Sequence, residues 1–247
     1  MPEIISAFWA QYGELLLEGT WETLIMVSVS TVLAYVIGVP LGVALIVTQP
    51  QGIRPHRAVY GVLGWIVNIG RSLPFAILLV ALMPYTRLIV GTAIGVKGAI
   101  PPLVISAAPF VARMVETSLS EVDAGVVEAA QSMGASPLQI IRKVYLPEAM
   151  PSLVLGGAIS VVTILAYTAI AGMVGAGGLG NIAIQYGHNR GVTSLMWVTV
   201  VLLIIFVQIV QWIFSWWSRR IDKRLGQTAD TGKFAPLAML AHFVHTK

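Results

Sequence analysis

The sequence predicts an all-α integral membrane protein with about five transmembrane helices. Hydrophobic residues make up 57% of the 247 residues and charged residues only 11%, which is too apolar a mixture for a soluble domain. The apolar residues also fall in runs of about 20, the length that crosses a bilayer as a helix. Because these runs do not alternate with polar residues, they favour helices over the strands of a membrane barrel.

Five apolar runs follow one another, each bounded by charge, proline or glycine. They cover residues 21–47, 59–83, 100–115, 153–174 and 195–217. Lys and Arg cluster after the first run, before the fourth and after the fifth, so the positive-inside rule places the N-terminus outside and the C-terminus in the cytoplasm. Residues 1–225 are expected to form one membrane domain, followed by a tail of unknown role at residues 226–247.

The composition argues against several other functions. The formal charge of +4 does not indicate nucleic-acid binding, because the basic residues lie at the ends of apolar runs, where topology signals belong. The chain has no cysteine, and its four histidines do not have the spacing of metal ligands. It also lacks a phosphate-binding Gly-Lys-Ser/Thr loop and a Ser-His-Asp arrangement. We therefore predict no catalytic or metal site, and expect any energy for transport to come from another chain or an ion gradient.

The first and fourth runs carry small or polar residues on one helical face. Ser30, Ala34, Gly38 and Gly42 recur every four residues in the first run, which predicts close packing against another helix. In the fourth run one narrow arc holds the residues that could line a solute pathway, with Ile170 at a constriction: Gly156, Ser160, Thr163, Tyr167, Ile170 and Val174. Ordinary helix packing explains this arc equally well.

Charged residues within the apolar runs need an explanation, because an ionised group is costly at membrane depth. Arg71 lies in the second run, three residues before Pro74. Its role is either structural, through an interhelical pair or carbonyls freed by the proline, or functional, in substrate binding or gating. Arg113 and Glu116 are three residues apart and are expected to pair with one another.

A glycine-rich stretch at residues 175–180 satisfies the spacing of a dinucleotide-binding motif. That motif requires a preceding strand, whereas this stretch follows an apolar helix. It therefore predicts a tight chain reversal at the end of the fourth span.

The cytoplasmic connection between the third and fourth spans is longer than a simple turn requires. Its pattern predicts a short helix at residues 126–133, a turn at residues 134–137, and a second helix at residues 138–146 that ends at Pro147. Taken by itself, this hairpin is either solvated or a docking element for a partner.

Glu128-Ala129-Ala130, Gly134 six residues after the glutamate, and Leu146-Pro147 resemble the cytoplasmic signature loop of ABC importer permeases. Three further stretches are similar to the methionine importers of that family: residues 71–75, 108–116 and 174–180. Residues 84–87 and Gly91-Thr92 are similar to the external loop of the same group. The resemblance implies a type I ABC importer permease, in which residues 122–134 dock on an ATPase and Glu128 pairs with a basic group there.

The resemblance also implies the partners of the chain. These are a second copy of the same subunit, two ATPase subunits that bind ATP and magnesium, an extracytoplasmic methionine-binding lipoprotein, and the lipids of a bacterial inner membrane. The chain itself is expected to bind no cofactor and to be no enzyme. Two alternative functions are an importer of a different small solute, such as the osmoprotectant glycine betaine, and an ion-coupled carrier or channel.

Overall fold

The computed structural model describes the backbone of residues 2–225 and the side chains of residues 6–221. The helices are α1 (Pro2–Thr48), α2 (Arg57–Ser72), α3 (Phe75–Val90), α4 (Gly95–Ser120), α5 (Ala124–Ser132), α6 (Pro137–Ile140), α7 (Leu146–Gly172), α8 (Gly178–Ile182) and α9 (Thr193–Leu225). Two π-helical turns, Ile141–Tyr145 and Ala183–Asn189, follow α6 and α8 directly. The tail expected at residues 226–247 lies outside the described residues.

The prediction of five spans is confirmed. Within the described chain, four helical segments are long and apolar enough to cross a membrane, and the bent pair α2–α3 supplies a fifth. α4 lies at the centre of the bundle and contacts α1, α2, α3 and α7, while α9 packs along α7. α1 is longer than the run at residues 21–47 because its N-terminal part packs Leu16 against Leu179, Ile182 and Leu195.

The second predicted span is wrong as a single helix. α2 and α3 meet at an angle of 103°, and the break falls at Leu73, whose backbone is extended at φ −78° and ψ 122°. Pro74 explains the break, because a proline ring excludes the residue before it from the helical region and offers no N–H. Of the residues matched to an external loop, 84–87 lie within α3, whereas Gly91 and Thr92 lie in the connection between α3 and α4.

The small-residue stripe of the first span packs against α4 as predicted. A Cβ added to Gly38 would lie 2.7 Å from Val111 Cβ, and one added to Gly42 would lie 2.5 Å from the Ala112 carbonyl oxygen. Ser30 and Ala34 are fully buried on the same face. Helices in lipid associate through such van der Waals contact rather than through a hydrophobic driving force.

The glycine-rich stretch forms the predicted chain reversal. Gly175, Gly177 and Gly178 have φ values of +86°, +82° and +76°, which side chains rarely adopt. The first peptide groups of α8 are capped from α1: the Gly178 N–H donates to Glu22 Oε2 at 2.6 Å and the Leu179 N–H to Thr23 Oγ1 at 2.9 Å. α1 therefore holds this reversal in place.

Candidate functional site

The connection between α4 and α7 forms the helical hairpin that the sequence predicts. Asp123 caps α5 by accepting the Gly125 N–H at 2.7 Å. Ser136 and Gln139 form a reciprocal capping box around Pro137, the first residue of α6, which is the expected chemistry of a helix start. Local sequence therefore determines both ends of the turn.

Gly134 lies at the centre of this turn in the left-handed region, at φ +77°. Two hydrogen bonds surround it: the Gly134 N–H donates to the Gln131 carbonyl at 2.9 Å, and the Ala135 N–H donates to the Ala130 carbonyl at 3.1 Å. This pair of bonds is a Schellman motif, which satisfies the last carbonyls of a helix. A Cβ added to Gly134 would meet nothing within 4 Å, so backbone conformation, rather than space, requires glycine here.

Replacing Gly134 with alanine is expected to destabilise the hairpin by about 1–2 kcal/mol, the cost of the left-handed region for a residue with a Cβ. Amide hydrogen exchange in residues 124–135 should then accelerate by about 5- to 30-fold, as measured by mass spectrometry. Gly61→Ala is the matched control, because Gly61 lies in α2 with φ outside the left-handed region and open space around it. Equal exchange in the two variants would contradict this explanation of Gly134.

One face of the hairpin has exposed apolar side chains. Val126, Ala129 and Met133 are spaced i, i+3 and i+7, which places them on one side of α5. Val126 is 46% exposed and Met133 81% exposed, and Ala129 is exposed between them. We call Val126, Ala129 and Met133 the apolar stripe. An apolar stripe on a water-facing helix is typical of a surface that a partner covers.

The signature residues divide between an outer and an inner face. Glu128 and Ala129 are exposed, whereas Ala130 is buried beside Val127. Glu128 lies away from the apolar stripe, at the rim of a cavity of about 200 Å³ that is also lined by Gln49, Gln131 and Tyr145. Glu128 is therefore accessible to a basic group, as the predicted pairing requires, but its role stays a prediction.

The hairpin is attached to the membrane helices by a continuous apolar cluster. Val127 and Ala130 belong to the same buried cluster as Leu119 of α4, Tyr145 and Ala149. A force on α5 therefore acts on α4 and α7 through packed side chains rather than through a flexible loop. The close-packed interior of a protein transmits such displacements.

The predicted end of the second hairpin helix at Pro147 is wrong. The chain continues as one apolar helical segment over Pro137–Gly172, with Leu146 and Pro147 at the start of α7. The Leu146 N–H donates to the Ile141 carbonyl, five residues back, in a π-helical turn. Since a proline ring clashes with the carbonyl four residues before it in a regular α-helix, the wider turn accommodates Pro147 without a break.

The arc of the fourth span faces the interior of the chain over much of its length. Gly156 packs against Met114, where a Cβ would lie 2.7 Å from the methionine Cε. Ser160 is 1% exposed and donates to the Gly156 carbonyl at 2.9 Å. Ordinary helix packing, which the sequence left open as the alternative to a solute pathway, therefore describes Gly156 and Ser160 in this structure. A solute could reach Ser160 only if the helices moved.

Farther along the same arc, the side chains meet the bent span. Tyr167 stacks on Phe75 of α3 with ring centroids 4.4 Å apart. Ile170 packs against the buried apolar cluster that contains Phe75. Thr163 and Tyr167 remain partly exposed. Tyr167 and Ile170 thus lie beside the helix break, but their pathway and gate roles stay predictions.

The predicted intramembrane charge, Arg71, and the predicted pair at the end of the third span behave differently. Arg113 and Glu116 pair as expected, with Nη1 and Oε2 2.6 Å apart, and the Tyr60 hydroxyl of α2 adds a 3.4 Å hydrogen bond to Glu116. Arg71 is exposed and makes no hydrogen bond or ion pair with the described part of the chain. The interhelical pair considered for Arg71 is therefore not present among the side chains that the structure describes.

Sequence reasoning did not single out Val126 and Met133. The sequence did contain a signal for these two residues, because apolar residues at helical spacing are unusual in a loop predicted to be cytoplasmic.

Among the residues whose side chains are described, no three His, Asp or Glu residues are grouped as metal ligands. The expectation that the chain itself binds no cofactor stays a prediction.

Comparison with known proteins confirms the resemblance. The family model for "Binding-protein-dependent transport system inner membrane component" matches residues 38–226. The chain is 51% identical over 220 residues to the probable D-methionine transport system permease protein MetI of Vibrio cholerae, covering 89% of this chain and 98% of that protein. It is 52% identical over 158 residues to the D-methionine transport system permease protein MetI of Escherichia coli K12, covering 64% and 73% respectively.

A solved structure agrees with these relatives. An inward-facing conformation of the MetNI methionine ABC transporter matches with a TM-score of 0.84 and 48% identity, covering 85% of this chain and 98% of that one. The expected permease fold is thereby confirmed. The chain belongs to the family of binding-protein-dependent transport system inner membrane components and is a multi-pass protein of the inner membrane.

Proposed function

We propose that this chain is the membrane-spanning permease subunit of an ATP-driven methionine importer. The observation that carries the proposal is 51% identity along 98% of a D-methionine permease relative, together with a hairpin that presents an exposed apolar stripe to the cytoplasm. The subunit binds and guides solute without catalysing a reaction. ATP and magnesium are bound by a separate ATPase.

The working assembly contains two copies of this chain, two ATPase subunits and an extracytoplasmic methionine-binding lipoprotein. The N-terminus lies outside and the C-terminus in the cytoplasm, as the Lys and Arg distribution indicates. The apolar stripe and Glu128 then face the ATPase. The reversal at residues 175–178, capped by Glu22 and Thr23 of α1, lies at the outer surface near the lipoprotein.

Transport follows from the attachment of the hairpin to the bundle. ATP binding draws the two ATPase subunits together and moves α5 with them. Because α5 shares one buried cluster with α4 and the start of α7, both helices shift, and the bundle alternates between two packed arrangements. Tyr167 and Ile170 lie where α7 meets the helix break, so their displacement opens or closes the path.

Competition for uptake tests the substrate. The purified importer with its ATPase and binding lipoprotein is placed in proteoliposomes, and ATP-dependent uptake of labelled L-methionine is measured against excess unlabelled D-methionine or glycine betaine. Competition by D-methionine and none by glycine betaine is expected. Absence of ATP-dependent methionine uptake, or competition by glycine betaine, would contradict the proposal.

A further inference from the structure

Arg71 lies near the middle of the membrane. Gly70, the residue before it, packs against Pro109, with an added Cβ 2.5 Å from Pro109 Cγ. α4 has 26 residues and is about 39 Å long at 1.5 Å per residue, and Pro109 lies about 21 Å from the Gly95 end. Arg71, in the last turn of α2, therefore lies level with the middle of α4.

An arginine at this depth requires a counter-charge or water. A charged side chain at the centre of a bilayer is costly and usually faces a water-filled cavity or a paired group. Arg71 is exposed and has no partner in the described part of the chain. The side chain therefore does not face lipid in the assembled protein.

The backbone next to Arg71 leads independently to the same conclusion. Ser72, Leu73 and Pro74 are all exposed at the 103° break between α2 and α3. Irregular backbone at membrane depth is tolerated only where protein buries it or where it lines a water-filled cavity. The break, with Arg71 directly beside it, is therefore covered by protein or lines a water-filled cavity, and does not face lipid.

The described side chains of a second copy of this chain supply no free carboxylate at this depth. Glu116 is 7% exposed and already paired with Arg113. Glu148, at the cytoplasmic start of α7, has its own interaction. The other acidic side chains that the structure describes lie at the outer end of α1 or on the cytoplasmic hairpin: Glu14, Glu18, Glu22, Glu121, Asp123 and Glu128.

We propose that Arg71 binds the carboxylate of the transported amino acid as it passes the helix break. A guanidinium group offers a planar pair of donors that matches a carboxylate and stays charged in a partly dehydrated site. The substrate thus supplies the counter-charge that the protein lacks. This assignment rests on the proposed function and adds to it a residue that selects amino acids over uncharged solutes.

Binding measurements on the complex of this chain with its ATPase test the assignment. The complex is placed in nanodiscs without the binding lipoprotein, and displacement of labelled L-methionine is measured with unlabelled L-methionine and with L-methioninamide, whose carboxylate is replaced by a neutral amide. Wild type should prefer methionine by about 10- to 100-fold, the range for a hydrogen bond to a charged group. Arg71→Gln should lose that preference by binding methionine more weakly, and Arg71→Lys should keep part of it.

Arg87→Gln is the matched control, because Arg87 is also exposed but lies in the last turn of α3. It should retain the wild-type preference. If wild type transports methionine in proteoliposomes but binds it no better than the amide, or shows no binding, the Arg71 site is overturned and the proposed function stands. The same holds if Arg71→Gln keeps the preference. If wild type neither transports nor binds methionine, the proposed substrate is wrong and the site falls with it.

Discussion

Replacing Met133 with aspartate is expected to weaken binding of the ATPase subunit by at least about 100-fold. Met133 is 81% exposed and ends the apolar stripe of α5. In the proposed complex this side chain is covered by the ATPase, and an unpaired carboxylate buried there costs about 3 kcal/mol or more. Since 1.4 kcal/mol is a factor of ten, the dissociation constant should rise accordingly, as measured by surface plasmon resonance on the permease in nanodiscs.

Gln131→Asp is the control for this variant. Gln131 is exposed near the C-terminal end of α5, two residues before Met133. The new carboxylate therefore has a similar interaction with the helix dipole but lies off the apolar stripe. Its dissociation constant should stay within about tenfold of wild type. Equal weakening by both substitutions would mean that added negative charge, rather than the apolar stripe, governs docking.

Replacing Gly42 with leucine is expected to prevent the permease from reaching a stable fold. A Cβ at this position would lie 2.5 Å from the Ala112 carbonyl oxygen and 2.6 Å from Val115 Cβ. Overpacking usually costs about 1–3 kcal/mol, and here a backbone atom of α4 would have to move, so the whole α1–α4 interface opens. Fluorescence-detected size-exclusion chromatography of a tagged protein should show loss of the monodisperse peak.

Gly61→Leu provides the comparison, because an added Cβ at Gly61 would meet nothing within 4 Å in the chain. That variant should keep the monodisperse peak, and Gly42→Ala should fall between the two. A Gly42→Leu protein with the elution profile and thermal midpoint of wild type would show that the close approach of α1 and α4 is not required.

The number of spans was predictable because hydrophobic length is a local property. The approach of α1 to α4 was also predictable in kind, since four small residues at positions 30, 34, 38 and 42 share a helical face. The effects of Pro74 and Pro147 on the helices were harder to predict from the sequence. Pro74 breaks a span, whereas Pro147 is absorbed by a π-helical turn, and the difference depends on how the neighbouring turn is packed.

The hairpin between α4 and α7 was predictable where backbone chemistry is local. Asp123, Gly134 and Ser136 each act on hydrogen bonds within a few residues, so their pattern locates both helices. The exposure of Met133 and the burial of Ser160 depend on tertiary contacts instead. The same limit applies to Arg71: its position in the sequence indicates depth, but its lack of a partner among the described side chains is visible only in the fold.

Transport with and without the ATPase tests the central claim most directly, namely that this chain moves solute only when its hairpin is driven by ATP hydrolysis in another subunit. Labelled methionine uptake is measured in proteoliposomes containing the chain alone and in proteoliposomes containing the full importer, with ATP and with a proton or sodium gradient. Accumulation is expected only in the full importer with ATP. Uptake by the chain alone, whether passive or gradient-driven, would instead identify a channel or an ion-coupled carrier and rule out an ATP-driven permease.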